Sequence, residues 1–153
     1  MKVLITLFML LATPFLFSQG LVVVDDFNVT MEDSESLEMN SLDLDYTHVI
    51  KARGAVRNGS WTIYVTLLHN DSGWGHYADR WQIIDPATGE ILAERILGHP
   101  HENEQPFTRS LSRISLPASI TVILIRGACQ VHGFGGSEIT IDLITGEMIP
   151  DGS

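Results

Sequence analysis

The sequence predicts an all-β chain: an antiparallel β-sandwich of immunoglobulin or fibronectin type with about seven strands. Three observations carry this expectation. From Tyr46 onward apolar residues recur at every second position, the period of a strand with one buried face. Turn-forming residues break that pattern at short intervals. No segment of the same region has the 3.6-residue apolar period of a helix.

The strands follow in order. "YTHVIKARGAV" and "SWTIYVTLLH" flank Asn58-Gly59, the dipeptide suited to a two-residue hairpin because both of its positions need positive φ. "RWQIID" and "EILAERIL" flank "PATG", a second hairpin with proline opening the turn and glycine closing it. "FTRSLSRISL", "TVILIRGACQV" and "SEITIDLI" complete the set, separated by "PASI" and "HGFGG". No segment repeats with the period of a solenoid or propeller.

A chain of 153 residues with 44% apolar content makes one domain with its own core. Residues 1–19 are expected to be a signal peptide. Lys2 is the positive start, "VLITLFMLLATPFLF" is the apolar run, and cleavage falls within 18–20. The run is short for a membrane span, which needs about 20 apolar residues. No cysteine follows it, so a lipid anchor is not expected, nor is membrane insertion after cleavage. Residues 20–45 form an acidic N-terminal segment and 46–149 the sandwich. The expected location is the periplasm or the medium.

Charge narrows the partners. Nine Lys and Arg stand against 19 Asp and Glu, a net charge of −10. Such a surface repels nucleic acid and anionic membranes. Much of the excess lies between Asp25 and Asp45, where no basic residue occurs, and this run is expected to be a solvated tether or an irregular edge strand, with a loose cation-attracting arm as the competing reading. Cys129 is the single cysteine, which excludes an internal disulfide. Alternation along "TVILIRGACQV" turns it toward the core, where a structural thiol is expected in preference to a nucleophile or a copper ligand.

The longest breaks in the ladder, "NDSGWGHYADR" and "GHPHENEQP", and the glycine-rich "HGFGG" are the expected functional loops, because rigid sandwiches carry function on their connections. His69, His76, His99, His101 and His132 lie in or beside them. Imidazole nitrogens converging from separate loops hold zinc or copper. His99 and His101 point to one side of an extended chain stiffened by Pro100, and His76 and His132 each adjoin a glycine. These four are the candidate ligands, with copper or zinc as the ion and Asp79, Glu104 and Arg109 as residues that orient the imidazoles or lock the loops. Under the competing reading the same polar residues only satisfy loop backbone groups, and the domain is a structural or interaction module. His48 and His69, at strand ends, are expected at the surface or a sheet edge. An enzyme is less supported. The chain has no Gly-x-Ser-x-Gly elbow and no His-Glu-x-x-His helix, and a hydrolase using Asp79 or Glu104 with a histidine would lack an activated nucleophile.

The blocks "GWGHYADRWQII", "LGHPHENEQPFTRSLS" and "VHGFGGSEITIDL" resemble those of a family of small exported bacterial β-sandwich proteins to which no activity is assigned. The resemblance runs from about Trp61 to Leu143. It implies a periplasmic or secreted domain in which Trp74, His76, Tyr77, Asp79, His99, His101, Glu104, Phe107, Arg109, His132 and Gly133 belong together. It also implies His-Asp just ahead of the Val-His-Gly block, where this chain has Ala128 and Cys129, so that a ligand or a loop-locking pair differs here. The function expected from these readings is that of a small exported binding or accessory protein, its partner a metal ion or another exported protein.

Overall fold

The computed structural model describes residues 22–31 and 40–150. The expected signal peptide lies outside them, as do residues 32–39 of the acidic run. Ten strands are formed among the described residues and no helix. They are β1 (Asp26–Thr30), β2 (His48–Arg57), β3 (Ser60–Leu68), β4 (Ala78–Ile84), β5 (Ile91–Ile96), β6 (Phe107–Ile114), β7 (Val122–Cys129), β8 (Gly133–Phe134), β9 (Ile139–Asp142) and β10 (Met148–Ile149). One sheet has the order β1-β2-β3-β6; the other runs β10-β9-β7-β4-β5, with β8 on β7. Every pairing is antiparallel. The chain is a β-sandwich, as the period-two pattern predicts.

Alternation decides what faces the core. Along β3, Trp61, Ile63, Val65 and Leu67 are buried while Thr62, Tyr64 and Thr66 are partly exposed. Ile123 and Ile125 of β7, Ile139 and Ile141 of β9, and Trp81 and Ile83 of β4 meet them from the second sheet. The sheet starts ahead of Tyr46: β1 pairs along the outer edge of β2, and its Phe27 and Val29 join the core, with the Phe27 ring 5.6 Å from that of Trp61. β8 and β10 have two residues each, too short to leave a periodic signal. The β2–β3 turn is the expected one, with φ of 51° at Asn58 and 72° at Gly59.

The chain crosses between sheets after β3, returns with β6 to pair with β3, and crosses again so that β7 pairs with β4. This interlocked order places four segments at one end. His48 of β2 lies opposite Leu68 of β3, Leu67 opposite Phe107, Ala78 opposite Cys129, and Arg80 opposite Ile96. The approach to β2 (40–47), the β3–β4 loop (69–77), the β5–β6 loop (97–106) and the β7–β9 segment (130–138) therefore meet there.

Their packing is close enough to need a glycine. A Cβ on Gly136 would overlap the carbonyl oxygen of Thr47 and come within 3.0 Å of the His48 backbone nitrogen, neither of which can rotate away. Gly136→Ala is expected to cost about 2–3 kcal/mol in urea unfolding. Gly98→Ala, where a Cβ meets nothing within 4 Å, should be close to neutral.

Candidate metal centre

The site is built on one buried carboxylate. Asp71 follows β3 by three residues, and its side chain is fully enclosed. One oxygen, Oδ1, accepts from His69 Nδ1 at 2.5 Å and from the Ala78 amide at 3.0 Å; the other, Oδ2, accepts from the His101 amide at 2.6 Å. Burial alone would raise the pKa of this carboxyl. The hydrogen bonds from His69, Ala78 and His101 outweigh it and hold the group below its ordinary 3.8. One anion thus ties the start of β4 and the β5–β6 loop to the end of β3.

His69 is correspondingly fixed. The expectation of a surface or edge residue is not met: it is 1% exposed, because Asp71 compensates its desolvation. With Nδ1–H given to Asp71, Nε2 faces inward, 3.3 Å from the Asp45 carbonyl oxygen. Nε2 is therefore the nitrogen left to face an ion. His48 is buried as well, for a different reason. Its Nδ1 accepts from the Ser137 amide at 2.9 Å and its Nε2 donates to the Asp43 carbonyl at 2.9 Å, which locks the approach to β2 onto the segment after β8.

Around His69 stand further metal-ligating groups. One ligating atom from each of His69, His76 and Cys129 lies within 4.8 Å of the others. The His69 and His76 rings meet edge-on with centroids 4.7 Å apart. His76 Nε2 is 3.2 Å from His132 Nδ1, and Cys129 Sγ is 3.5 Å from that same nitrogen. In a tetrahedral site with metal–nitrogen bonds of about 2.0–2.1 Å and a metal–sulfur bond of about 2.3 Å, adjacent ligand atoms lie about 3.3 Å apart for N···N and about 3.6 Å for N···S. The His76–His132 and Cys129–His132 separations have these lengths.

The sulfur is fixed by the turn that follows it. Cys129 ends β7, and the chain turns so that the amides of Val131 and His132 both donate to Sγ, at 3.3 and 3.1 Å. The thiol is buried, as alternation predicts, but it lies at the mouth of the loop cluster as well as beside the core.

Of the four sequence-derived ligands, His76 and His132 are brought together. His99 is exposed, with Nδ1 2.9 Å from the Pro100 carbonyl oxygen. His101 is 3% exposed and lies flat on Phe107, with centroids 3.9 Å apart and an interplanar angle of 8°. The two rings touch each other at 4.4 Å and approach the cluster only through Asp71, whose Oδ2 is 3.7 Å from His101 Nδ1. The orienting carboxylate is Asp71; Asp79 pairs with the neighbouring Arg80 at 2.8 Å. Glu104 pairs with Arg109 at 2.8 Å, and Arg109 also donates to the Thr108 carbonyl. Both pairs are partly exposed and contribute little stability; only Glu104–Arg109 involves the β5–β6 loop. His69, Asp71 and Cys129 carried two local signals: a His-x-Asp pair at a strand end, which lets a carboxylate orient an imidazole, and Cys-x-x-His across a turn, which aims two donors at one point.

His101 carries a pH dependence. Neither ring nitrogen has a hydrogen-bond partner among the described residues, and burial, with Arg109 and His99 nearby, lowers its pKa below 6.5. The unfolded chain therefore binds a proton that the folded chain refuses. This stability is complete above about pH 6.5 and is lost as pH falls toward the lower folded value. Asp71, also lowered, acts in the same direction but only below 3.8. The urea midpoint should drop between pH 7.5 and pH 5.5, and His101→Leu should flatten that slope. An unchanged slope would remove His101 as its source.

The chain is 35% identical over 114 residues to a protein of Halomicrobium mukohataei named "Putative lipoprotein", a match covering 74% of this chain and 55% of that relative. The chain thus spans little more than half the relative's length. No family model matches the chain, and no solved structure matches it.

Proposed function

We propose that this is an exported, envelope-associated binding protein that holds one divalent transition-metal ion, zinc or copper, at the loop end of the sandwich. The ligands in this reading are His69, His76, Cys129 and His132. The observation that carries it is the convergence of two imidazoles on a buried thiol that already receives two backbone N–H bonds. Thiolate with imidazole suits zinc and copper and disfavours magnesium or calcium, which take oxygen ligands. Export is supported by the apolar run Val3–Phe17 and by the similarity to a protein named as a lipoprotein.

The buried hydrogen bonds of Asp71 and His48 favour a second reading, in which the cluster only locks loops. Elemental analysis separates the two. Purified without a histidine tag and supplied with zinc, the chain is expected to retain one ion per molecule. His69→Ala and His76→Ala should weaken retention by about 100-fold or more, and His99→Ala should leave it unchanged. Sub-stoichiometric metal in the wild type would leave the loop-locking reading standing.

A further inference from the structure

Resting on that metal reading, we infer that His132 is the exchangeable ligand of the site: its imidazole leaves and returns while His69, His76 and Cys129 keep the ion, and the vacated position takes a monodentate imidazole or thiolate donor.

The ligand set is graded. His69 and Cys129 are each 1% exposed. Asp71 fixes the ring of His69, and the amides of Val131 and His132 fix the sulfur. His76 is half-buried on the β3–β4 loop, held by backbone bonds from its amide to Gly73 and from the Ser72 amide to its carbonyl. The His132 ring is exposed, at the turn between β7 and β8, and packs only loosely against Tyr46 at 5.6 Å.

One atom of His132 has two mutually exclusive uses. Its Nδ1 is 3.2 Å from His76 Nε2 and 3.5 Å from Cys129 Sγ, the position of a fourth ligand, yet it is also 3.0 Å from the Asp45 carbonyl oxygen. As a ligand, Nδ1 must be unprotonated and the ring proton sits on Nε2. Bound to Asp45, Nδ1 carries the proton and donates it. The change is a neutral tautomer shift, with one proton leaving Nε2 to water and one arriving at Nδ1 from water, so no net proton is released. Leaving the ion therefore exchanges one bond for another and strands no polar atom. His69 Nε2 also lies 3.3 Å from the Asp45 carbonyl oxygen, but His69 cannot make the same neutral shift, because its Nδ1–H is already committed to Asp71. A site that closes with its own imidazole and opens to a donor of similar chemistry suits transfer of the ion to a partner presenting imidazole or thiolate.

The test uses cobalt(II) and zinc with the full chain, and free imidazole as the incoming donor. His132→Ala is expected to retain the metal with a loss of about tenfold, and its cobalt form should bind one imidazole and regain the four-coordinate absorption of the wild type. His69→Ala and Cys129→Ser should lose the metal by about 100-fold or more. Should His132→Ala lose metal as completely as His69→Ala, His132 is a fixed ligand and the inference fails while metal binding stands. Should His132→Ala match the wild type in affinity and spectrum and take up no imidazole, His132 is not a ligand and the inference also fails. A wild-type chain that binds neither cobalt nor zinc ends the metal reading itself, and this inference with it. Melting curves of each apo variant confirm that it is folded.

Discussion

Asp71→Ala is expected to lower stability by about 3–5 kcal/mol, enough to leave much of the population unfolded in a domain of ordinary stability. Three donors lose their acceptor at once: His69 Nδ1 and the amides of Ala78 and His101, all buried. The carboxylate also links three segments that no strand ladder joins, so its loss frees the β3–β4 and β5–β6 loops together. Asp71→Asn should fall between the two, because its carbonyl can still accept while its amide must turn one donor against another. Urea unfolding at pH 7.5 measures this, and a loss below about 1 kcal/mol would mean that the loops are held by something else.

Cys129→Ser is expected to give the opposite pattern. The hydroxyl keeps the shape of the site and can still accept from the Val131 and His132 amides, so stability should fall by no more than about 1–2 kcal/mol. Metal retention should fall by about 100-fold or more, since an un-ionised hydroxyl replaces a thiolate. In the cobalt-substituted protein the sulfur-to-metal charge-transfer absorption should disappear. Comparable metal affinity in wild type and Cys129→Ser would take the sulfur out of the site. Together the two substitutions separate the scaffold from the ligand: Asp71 acts first on folding and Cys129 first on the ion.

The strands from β2 to β9 were legible wherever alternation ran for four residues or more. "SWTIYVTLL" and "TVILIRGAC" declare their inner faces residue by residue, and Asn58-Gly59 marks its turn through a conformation few other dipeptides adopt. β8 and β10 were not legible, because two residues have no period. β1 was half legible: the run Asp25–Asp45 reads as a tether or an irregular edge strand, and Asp26–Thr30 does form the sheet edge, with Phe27 and Val29 alternating with polar residues.

The site was legible in part, for a physical reason. Local sequence tells which residues share a loop, and the three histidine-bearing loops do gather at one end. It does not tell which imidazole a distant carboxylate will desolvate. Asp71 buries His69 through a 2.5 Å hydrogen bond, so a residue that reads as a strand end becomes the best-fixed nitrogen of the cluster. Stacking on Phe107 buries His101, while the His99 ring that touches it at 4.4 Å stays at the surface. Cys129 follows the alternation rule into the protein, but alternation does not show the turn after it, which aims two amides at the sulfur.

The central claim is that Cys129 and the histidines of two loops bind the same ion. X-ray absorption at the zinc edge of the zinc-loaded wild type tests it most directly. The predicted result is one sulfur at about 2.3 Å with three nitrogens at about 2.0–2.1 Å, the sulfur vanishing in Cys129→Ser. A shell of nitrogen and oxygen alone, unchanged by that substitution, would contradict it.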